Sequence, residues 1–392
     1  MHTFLKEGGF IITIIEKKNC TGCYACVTIC PQQCITMKSD SEGFWYPAVD
    51  KESCLDCSLC EKVCPILQKE QVKNEPKAYA CYNKNEEIRM KSSSGGLFTL
   101  FAEQVIDHGG VVFGAGFDKE NKVLHSFVET KEELRKFRGA KYVQSKIGDT
   151  YKKAEKFLLQ GRQVLFSGTP CQIGGLKSFL QKDYDNLICI DIFCHGVPSP
   201  KVWKKYVSYR EIRADAPVRN ITFRRKNNGW KRYSIAFSFN NNMEYENAFD
   251  KDLYMQAFLH NICLRPSCYA CNFKTLCRQS DITLADFWGI ENMFPEMDDD
   301  KGASLVLINS RKGELMFGKI LNQMILKEVD INKAVSYNLA AINSVKQSPQ
   351  RNNFFSKLEQ LPFDKLVKKY CKQKISVKML IRAVLSKLGF LG

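Results

Sequence analysis

Eighteen cysteines in 392 residues constrain this chain more than any other feature. No stretch reaches the roughly 18 uninterrupted apolar residues that a membrane span needs, and the apolar run at 10–15 is too short for a signal-peptide core. We therefore expect a cytoplasmic protein, in which thiols stay reduced and a disulfide framework is rare. The cysteines should then be metal ligands.

Eight of the nine cysteines before residue 65 form two copies of one pattern, in which three cysteines at two-residue spacing precede x3-Cys-Pro. This run is typical of two-cluster bacterial ferredoxins, where the cysteine before proline binds the other cluster. A zinc ribbon would show paired C-x2-C knuckles instead. We predict two 4Fe–4S clusters. Their ligands are a first cysteine set (Cys20, Cys23, Cys26, Cys64) and a second cysteine set (Cys30, Cys54, Cys57, Cys60). The remaining Cys34 is expected to be buried and not a ligand.

A looser group of cysteines lies in the second half of the chain. Cys268 and Cys271 form a C-x2-C pair flanked by Cys263 and Cys277, and these four could hold zinc or a third iron–sulfur cluster. Alternatively, distant cysteines that the fold brings close could complete the pair. Spacing alone favours a metal site and leaves its ligand set open.

Beyond a polar segment at 68–77, which is expected to be a linker, the pattern is α/β. A helix is predicted after 92–96, with strands at 111–117, 163–166 and 187–193. Two of these strands lead into loops with Cys171 and Cys194, at the carboxyl ends where open α/β sheets bind ligands. Antiparallel strands are expected within 219–249, which would make the sheet mixed.

Other candidate chemistry is weaker. The Ser94-Gly95-Gly96 loop opens a helix, so its bare amides could bind phosphate or a flavin pyrophosphate, although a plain helix cap explains it equally well. Cys194 and His195 suggest a nucleophile and a base, but adjacent side chains rarely face each other. Asp281 and Asp286 are expected to act as structural caps.

Six segments together resemble one known family. They are SSSGGLF, RGAKYVQS, LFSGTPCQIGGLKSFL, IDIFCHGVPSPKVW, LRPSCYACNFK and SDITLADFWG. In that order they resemble the beta subunits of coenzyme F420 (deazaflavin) hydrogenases and dehydrogenases, over about residues 1–335. An N-terminal two-cluster ferredoxin is a common fusion in that family. The match is closest to its bacterial branch, so a deazaflavin substrate is not assured.

The resemblance implies a cofactor set and its ligands. Family members bind FAD and a 4Fe–4S cluster and pass electrons to a deazaflavin or another acceptor. The cluster ligands then correspond to Cys171, Cys194, Cys268 and Cys271, which we call the third cysteine set. The flavin-contacting residues correspond to Ser94, Gly95, Gly96, Lys141, Tyr142, Gln144 and Ser145.

The expected function is that of an iron–sulfur flavoprotein oxidoreductase, because a flavin exchanges electron pairs with single-electron carriers. Its acceptor would be a small molecule, a deazaflavin-like coenzyme or a redox partner protein. Related members reduce chlorophyll intermediates or sulfite, and others occur beside polysaccharide-assembly enzymes, so a role in polysaccharide biosynthesis is possible. The alternative is a non-catalytic electron-transfer subunit that serves a separate enzyme.

The formal charge of +16 suggests nucleic acid or a membrane as partner. No nucleic-acid-binding pattern is present, and residues 365–392 carry eight basic and no acidic side chains. Such a basic amphipathic tail could make peripheral membrane contact, or it could pack on its own domain. The predicted organisation is a ferredoxin domain at 1–70, a flavin domain in two parts at 71–150 and 151–335, and a helical basic tail at 336–392.

Overall fold

The computed structural model describes residues 12–14, 16–68 and 72–371. Within them the strands are β1 Ile35–Ser39, β2 Trp45–Val49, β3 Lys77–Asn83, β4 Val111–Phe117, β5 Val123–Val128, β6 Val164–Ser167, β7 Leu187–Ile192, β8 Val218–Arg225, β9 Ser234–Phe239, β10 Glu244–Ala248, β11 Ile282–Asp286, β12 Ser304–Ile308 and β13 Met324–Val329. The α-helices are α1 Ala25–Ile29, α2 Leu59–Lys62, α3 Glu86–Met90, α4 Leu97–Ile106, α5 Thr150–Leu159, α6 Pro170–Leu180, α7 Pro200–Ala214, α8 Leu253–Leu259, α9 Ile290–Met293, α10 Arg311–Gly318, α11 Ile331–Ser336, α12 Arg351–Ser356 and α13 Phe363–Tyr370.

Eight strands form one mixed sheet in the order β13-β3-β12-β11-β7-β6-β4-β5. Its centre, β11-β7-β6-β4, is parallel, and the outer strands pair antiparallel. The expected mixed α/β sheet is confirmed. Because the central strands are parallel, their carboxyl ends meet at one edge of the sheet.

Helices cover both faces of this sheet, which explains why its central strands are continuous apolar runs. On one face, α4 and α10 pack over alternate residues such as Val112 and Leu165. On the other face, α5 and α6 pack over Val111 and Phe166. The helix α6 begins as its sequence indicates, with Thr169 as N-cap in a capping box and proline at the first helical position.

The strands expected within 219–249 form, but they do not make the central sheet mixed. β8, β9 and β10 are a separate three-stranded antiparallel sheet. It shares a core with α7, α8, α12 and α13, to which Phe354 and Leu366 contribute. The rest of the basic tail, 372–392, lies outside the described residues. In the part of the chain that the structure describes, no helix has the length and apolarity to span a membrane.

The ferredoxin-like part, within 16–68, contains the hairpin β1–β2 and the short helices α1 and α2. It is fixed to the main body by specific contacts. Arg351 of α12 forms an ion pair with Glu42 in the hairpin turn, and the backbone carbonyl of Glu42 accepts a hydrogen bond from Ser199. Near the cysteines of the ferredoxin-like part, α6 packs so closely against Cys23 that a Cβ added at Gly175 would lie 2.8 Å from Cys23 Cβ.

Candidate metal centres

The first cysteine set lines one cavity of about 360 Å³. Three of its members lie on the loop that leads into α1 and within that helix, and the fourth, Cys64, follows α2. The loop turns at Gly22, whose positive φ of 69° is costly for any residue with a Cβ. The structure thus brings together the four residues that the motif assigns to one cluster.

The second cysteine set lines another cavity of about 360 Å³. Here Cys30 directly follows α1, Cys54 and Cys57 lie on the segment that leads into α2, and Cys60 lies within that helix. Cys57 is exposed, so this cavity lies near the protein surface. Cys34 is buried as expected, but it also lines this cavity, with its Sγ 3.3 Å from Cys30 Sγ.

The third cysteine set lines a cavity of about 490 Å³. Cys171 is the second residue of α6, directly after β6, and Cys194 follows β7 by two residues. Because β6 and β7 are adjacent parallel strands, both cysteines reach the same edge of the sheet. Cys268 and Cys271 approach from a short 3₁₀ turn, Pro266–Ala270, and the Val197 amide lies 3.4 Å from Cys268 Sγ.

The flanking cysteines of the local alternative lie elsewhere. Cys263 is fully buried in an apolar core. Cys277 directs its Sγ to the carbonyl oxygen of Asn74, at 3.6 Å. Neither is among the described residues that line the cavity of Cys268 and Cys271.

Burial dominates the acid–base behaviour of these thiols. Desolvation raises the pKa of Cys23 and of Cys194 to about 12 and that of Cys268 to about 11. Without a metal they therefore stay protonated at neutral pH. Cluster insertion would displace those protons, because the thiolate is the ligand form.

Three cationic side chains line the third cavity, namely Arg265, Lys274 and Arg278. Lys274 donates to the backbone carbonyls of Cys194 and Ala340. Sequence reasoning missed all three, since an isolated Arg or Lys carries no spacing signal. Because Arg278 pairs with Asp191, Arg265 and Lys274 give the cavity its positive lining, which suits an anionic group.

The first and third cavities are neighbours. Thr21 lines both of them. Arg265 lines the third cavity and also donates to the backbone carbonyl of Cys20, at 2.8 Å. The two predicted cluster positions therefore share a wall of the protein.

The Ser94-Gly95-Gly96 loop precedes α4 as predicted. Gly96 has φ +84° and provides no side-chain cap, so first-turn amides of α4 lack one. However, the Gly95 amide donates to Ser304 Oγ. A Cβ added at Gly95 would lie 2.5 Å from the carbonyl oxygen of Cys81. The first glycine of the loop, Gly95, therefore also has a structural reason.

Cations flank this loop. Lys226, directly after β8, donates through Nζ to the backbone carbonyl of Ser94, at 2.7 Å, and Arg224 of β8 donates to Tyr142 Oη, at 3.1 Å. Lys141 Nζ donates to the carbonyls of Arg138 and Gly139. Desolvation lowers the pKa of Lys141 to about 7. The contacts of Lys226 and Arg224 thus connect the loop region to Tyr142.

The side chains of Gln144 and Ser145 have other partners. Gln144 Oε1 accepts from Arg265, at 3.3 Å. Ser145 Oγ lies 2.7 Å from Nδ1 of the buried His125, a residue that sequence reasoning did not single out. Because His125 Nε2 faces the Ser167 carbonyl at 3.0 Å, Nε2 carries the proton and Nδ1 accepts from Ser145.

Comparisons with known proteins found matches for two regions of the chain. Residues 19–66 match the 4Fe–4S dicluster domain model, and residues 161–334 match the model for the carboxyl-terminal part of the beta subunit of coenzyme F420 hydrogenase/dehydrogenase. No curated protein matches the chain. A similar solved structure is the xenon-derivatised F420-reducing NiFe hydrogenase complex from Methanosarcina barkeri, with 18% identity, a TM-score of 0.47, and coverage of 69% of this chain and 88% of that chain. The chain thus joins a 4Fe–4S dicluster domain at 19–66 to the C-terminal domain of the coenzyme F420 hydrogenase/dehydrogenase beta-subunit family at 161–334.

Proposed function

We propose that the chain is an iron–sulfur flavoprotein oxidoreductase with three 4Fe–4S clusters and one FAD. When bound, the clusters would carry single electrons and the flavin would exchange them for electron pairs. The protein supplies the thiolate ligands, the spacing between sites and the surrounding charge. One observation carries the proposal, namely that the first and third cysteine sets line neighbouring cavities that share Thr21.

The lining of the third cavity supports a cluster over a single ion. Among the described residues, no three His, Cys, Asp or Glu side chains converge tightly enough for one metal ion. A 4Fe–4S cluster is instead held by four thiolates around its own volume. Its negative charge also suits the positive lining that Arg265 and Lys274 provide.

The loop at 94–96 and the residues Lys141 and Tyr142 are the proposed flavin contacts. The α4 amides can bind a pyrophosphate, and a bound anion would favour the charged form of Lys141, which in the described part of the chain donates to backbone carbonyls rather than to a carboxylate. The resemblance also assigns Gln144 and Ser145 to the flavin. Their side chains instead hydrogen-bond to Arg265 and His125, so they would stabilise the segment that holds Lys141 and Tyr142.

The second cavity supports a role for an external redox partner. Cys57 is exposed, and 65% of Leu55 is exposed beside it. A partner protein could therefore approach the cluster of the second set closely. This favours electron entry or exit there, with a small-molecule or deazaflavin-like acceptor reacting at the flavin.

Anaerobic reconstitution tests the proposal, with iron, acid-labile sulfide and flavin counted on the same sample. The expected result is about twelve irons and about one FAD per chain. About eight irons, or no flavin uptake in titration, would contradict it.

The exposed surface at the second cavity, with Cys57 and Leu55, also favours the second candidate, a non-catalytic subunit of a larger complex. Reconstituted protein should then hold its clusters but reduce no acceptor by itself. A screen of nicotinamide, deazaflavin and sugar-derived acceptors with an artificial electron donor separates the two functions. Turnover of any of them by the isolated chain excludes the second.

A further inference from the structure

We propose that Arg265 is a positioning residue between the first and third cysteine sets, and that it raises the reduction potential of a cluster held there. The inference rests on the proposed function, because it requires clusters at those cysteines. It concerns a residue outside every cysteine motif.

The Arg265 side chain links two distant parts of the chain. Nε donates to the Cys20 carbonyl at 2.8 Å, and Nη2 donates to the Trp45 carbonyl at 3.0 Å and lies 3.5 Å from Cys20 Sγ. The guanidinium carbon also lies 4.3 Å from the centre of the Tyr46 ring. These contacts hold the loop of the first set against the third cavity.

The backbone of Arg265 is fixed to the third set. Its amide donates to the Val197 carbonyl at 3.0 Å, and its carbonyl accepts from the Cys268 amide at 2.9 Å. Nη1 donates to Gln144 Oε1, on the segment that contains Lys141 and Tyr142. One residue therefore touches the first set, the third set and the proposed flavin segment.

Charge distinguishes Arg265 from the other buried arginines. In the part of the chain that the structure describes, each of the other five forms an ion pair with a carboxylate. These pairs are Arg89–Asp299, Arg210–Asp252, Arg224–Asp286, Arg278–Asp191 and Arg351–Glu42. Among the described residues, the hydrogen-bond acceptors of the fully buried Arg265 are a thiol, two carbonyls and an amide, with no carboxylate. A buried cation without an anion is costly, and the thiolate-ligated clusters would supply that anion.

The sign of the electrostatic effect follows from the electron count. A 4Fe–4S centre gains one negative charge on reduction, so a nearby fixed cation stabilises the reduced form more than the oxidised form. Replacing the arginine with a neutral side chain should therefore lower the potential. We expect the reduction equilibrium to fall at least about tenfold, or about 59 mV for a one-electron couple.

The test is an EPR-monitored redox titration of the anaerobically reconstituted full-length chain. Arg265→Met should lower at least one of the cluster midpoints by about 59 mV or more. Arg265→Lys keeps the charge but loses the planar fork, and should give a smaller shift with the same iron content. If the methionine variant fails to assemble, Arg265→Gln, which can still donate to a carbonyl, removes the charge in its place and should show the same fall.

Lys201→Met is the matched control. Lys201 also crosses between the two parts, since its Nζ donates to the Ser41 carbonyl at 3.0 Å, but it pairs with Glu359 and does not belong to the residues lining any of the three cavities. Its removal should leave the midpoints unchanged. Unchanged midpoints in a neutral Arg265 variant of normal iron content, or an equal shift in Lys201→Met, would overturn the inference. Failure of the proposed function is distinct, because it shows as missing iron or flavin in the unmodified protein.

Discussion

The ion pair between Arg351 and Glu42 should hold the ferredoxin-like part on the main body, and a double-mutant cycle tests this. The arginine donates through Nη1 to Glu42 Oε1 at 2.7 Å and through Nη2 to Oε2, so the pair is bidentate. Its side chain is 5% exposed and that of Glu42 is 17% exposed. Both charges are therefore largely removed from water.

Breaking such a pair leaves one buried charge without its partner. For buried pairs the cost is about 3–5 kcal/mol, and the residual exposure of Glu42 lets water recover part of it. We therefore expect Arg351→Met to lower the free energy of unfolding by about 2–3 kcal/mol. Combining it with Glu42→Gln removes both charges and should recover at least about 1 kcal/mol of that loss.

Urea unfolding of reconstituted protein measures the effect, with cluster absorbance reporting on the three cluster sites, two of which belong to the ferredoxin-like part, and tryptophan fluorescence reporting on the whole chain. The first transition is compared among the wild type, both single variants and the double variant, since two parts need not unfold together. If Glu42→Gln lowers the free energy of unfolding by the same amount in the Arg351→Met background as in the wild type, the two residues do not interact. The reasoning then fails.

Two further predictions concern His125 and the approach of α6. Burial lowers the pKa of His125 from 6.5 to about 4, so the unfolded chain binds more protons between those values and stability is lost as pH falls from about 6.5 to about 4. His125→Phe should remove up to roughly 3 kcal/mol of that pH dependence. The free energy of unfolding in urea is measured for the wild type and the variant between pH 4 and 6.5. An equal dependence on pH in the two proteins would contradict this. Gly175→Val should lower iron content by about four per chain, because its side chain would overlap Cys23. Gly318→Ala, where an added Cβ meets nothing within 4 Å among the described residues, is the control and should keep its iron; equal iron loss in both variants would refute the steric argument.

The cysteine sets could be predicted because ligand chemistry restricts both residue type and spacing. Each ferredoxin-like triplet lies within seven residues, so local sequence suffices to recognise it. The strands leading to Cys171 and Cys194 were recognisable from their apolar runs. Their convergence then follows from the rule that parallel strands end at one edge.

Contacts between distant segments could not be predicted in the same way. Arg265 and Cys20 are 245 residues apart, and no spacing pattern connects them. The hairpin strands β8 and β9 were visible locally, but whether they join the central sheet depends on α7 and α8, which cover them instead. Likewise, the sequence of the 141–145 segment does not indicate that Gln144 contacts Arg265 and that Ser145 contacts His125.

The most direct test of the account is the iron and sulfide content of two double variants beside the wild type. Cys268→Ser with Cys271→Ser removes half of the third cysteine set, and Cys263→Ser with Cys277→Ser changes the flanking pair, which lies outside that cavity. The account predicts about twelve irons per chain for the wild type and the flanking pair, and about eight for the first double variant. Loss of iron in the flanking pair, or no loss in the first double variant, would contradict it.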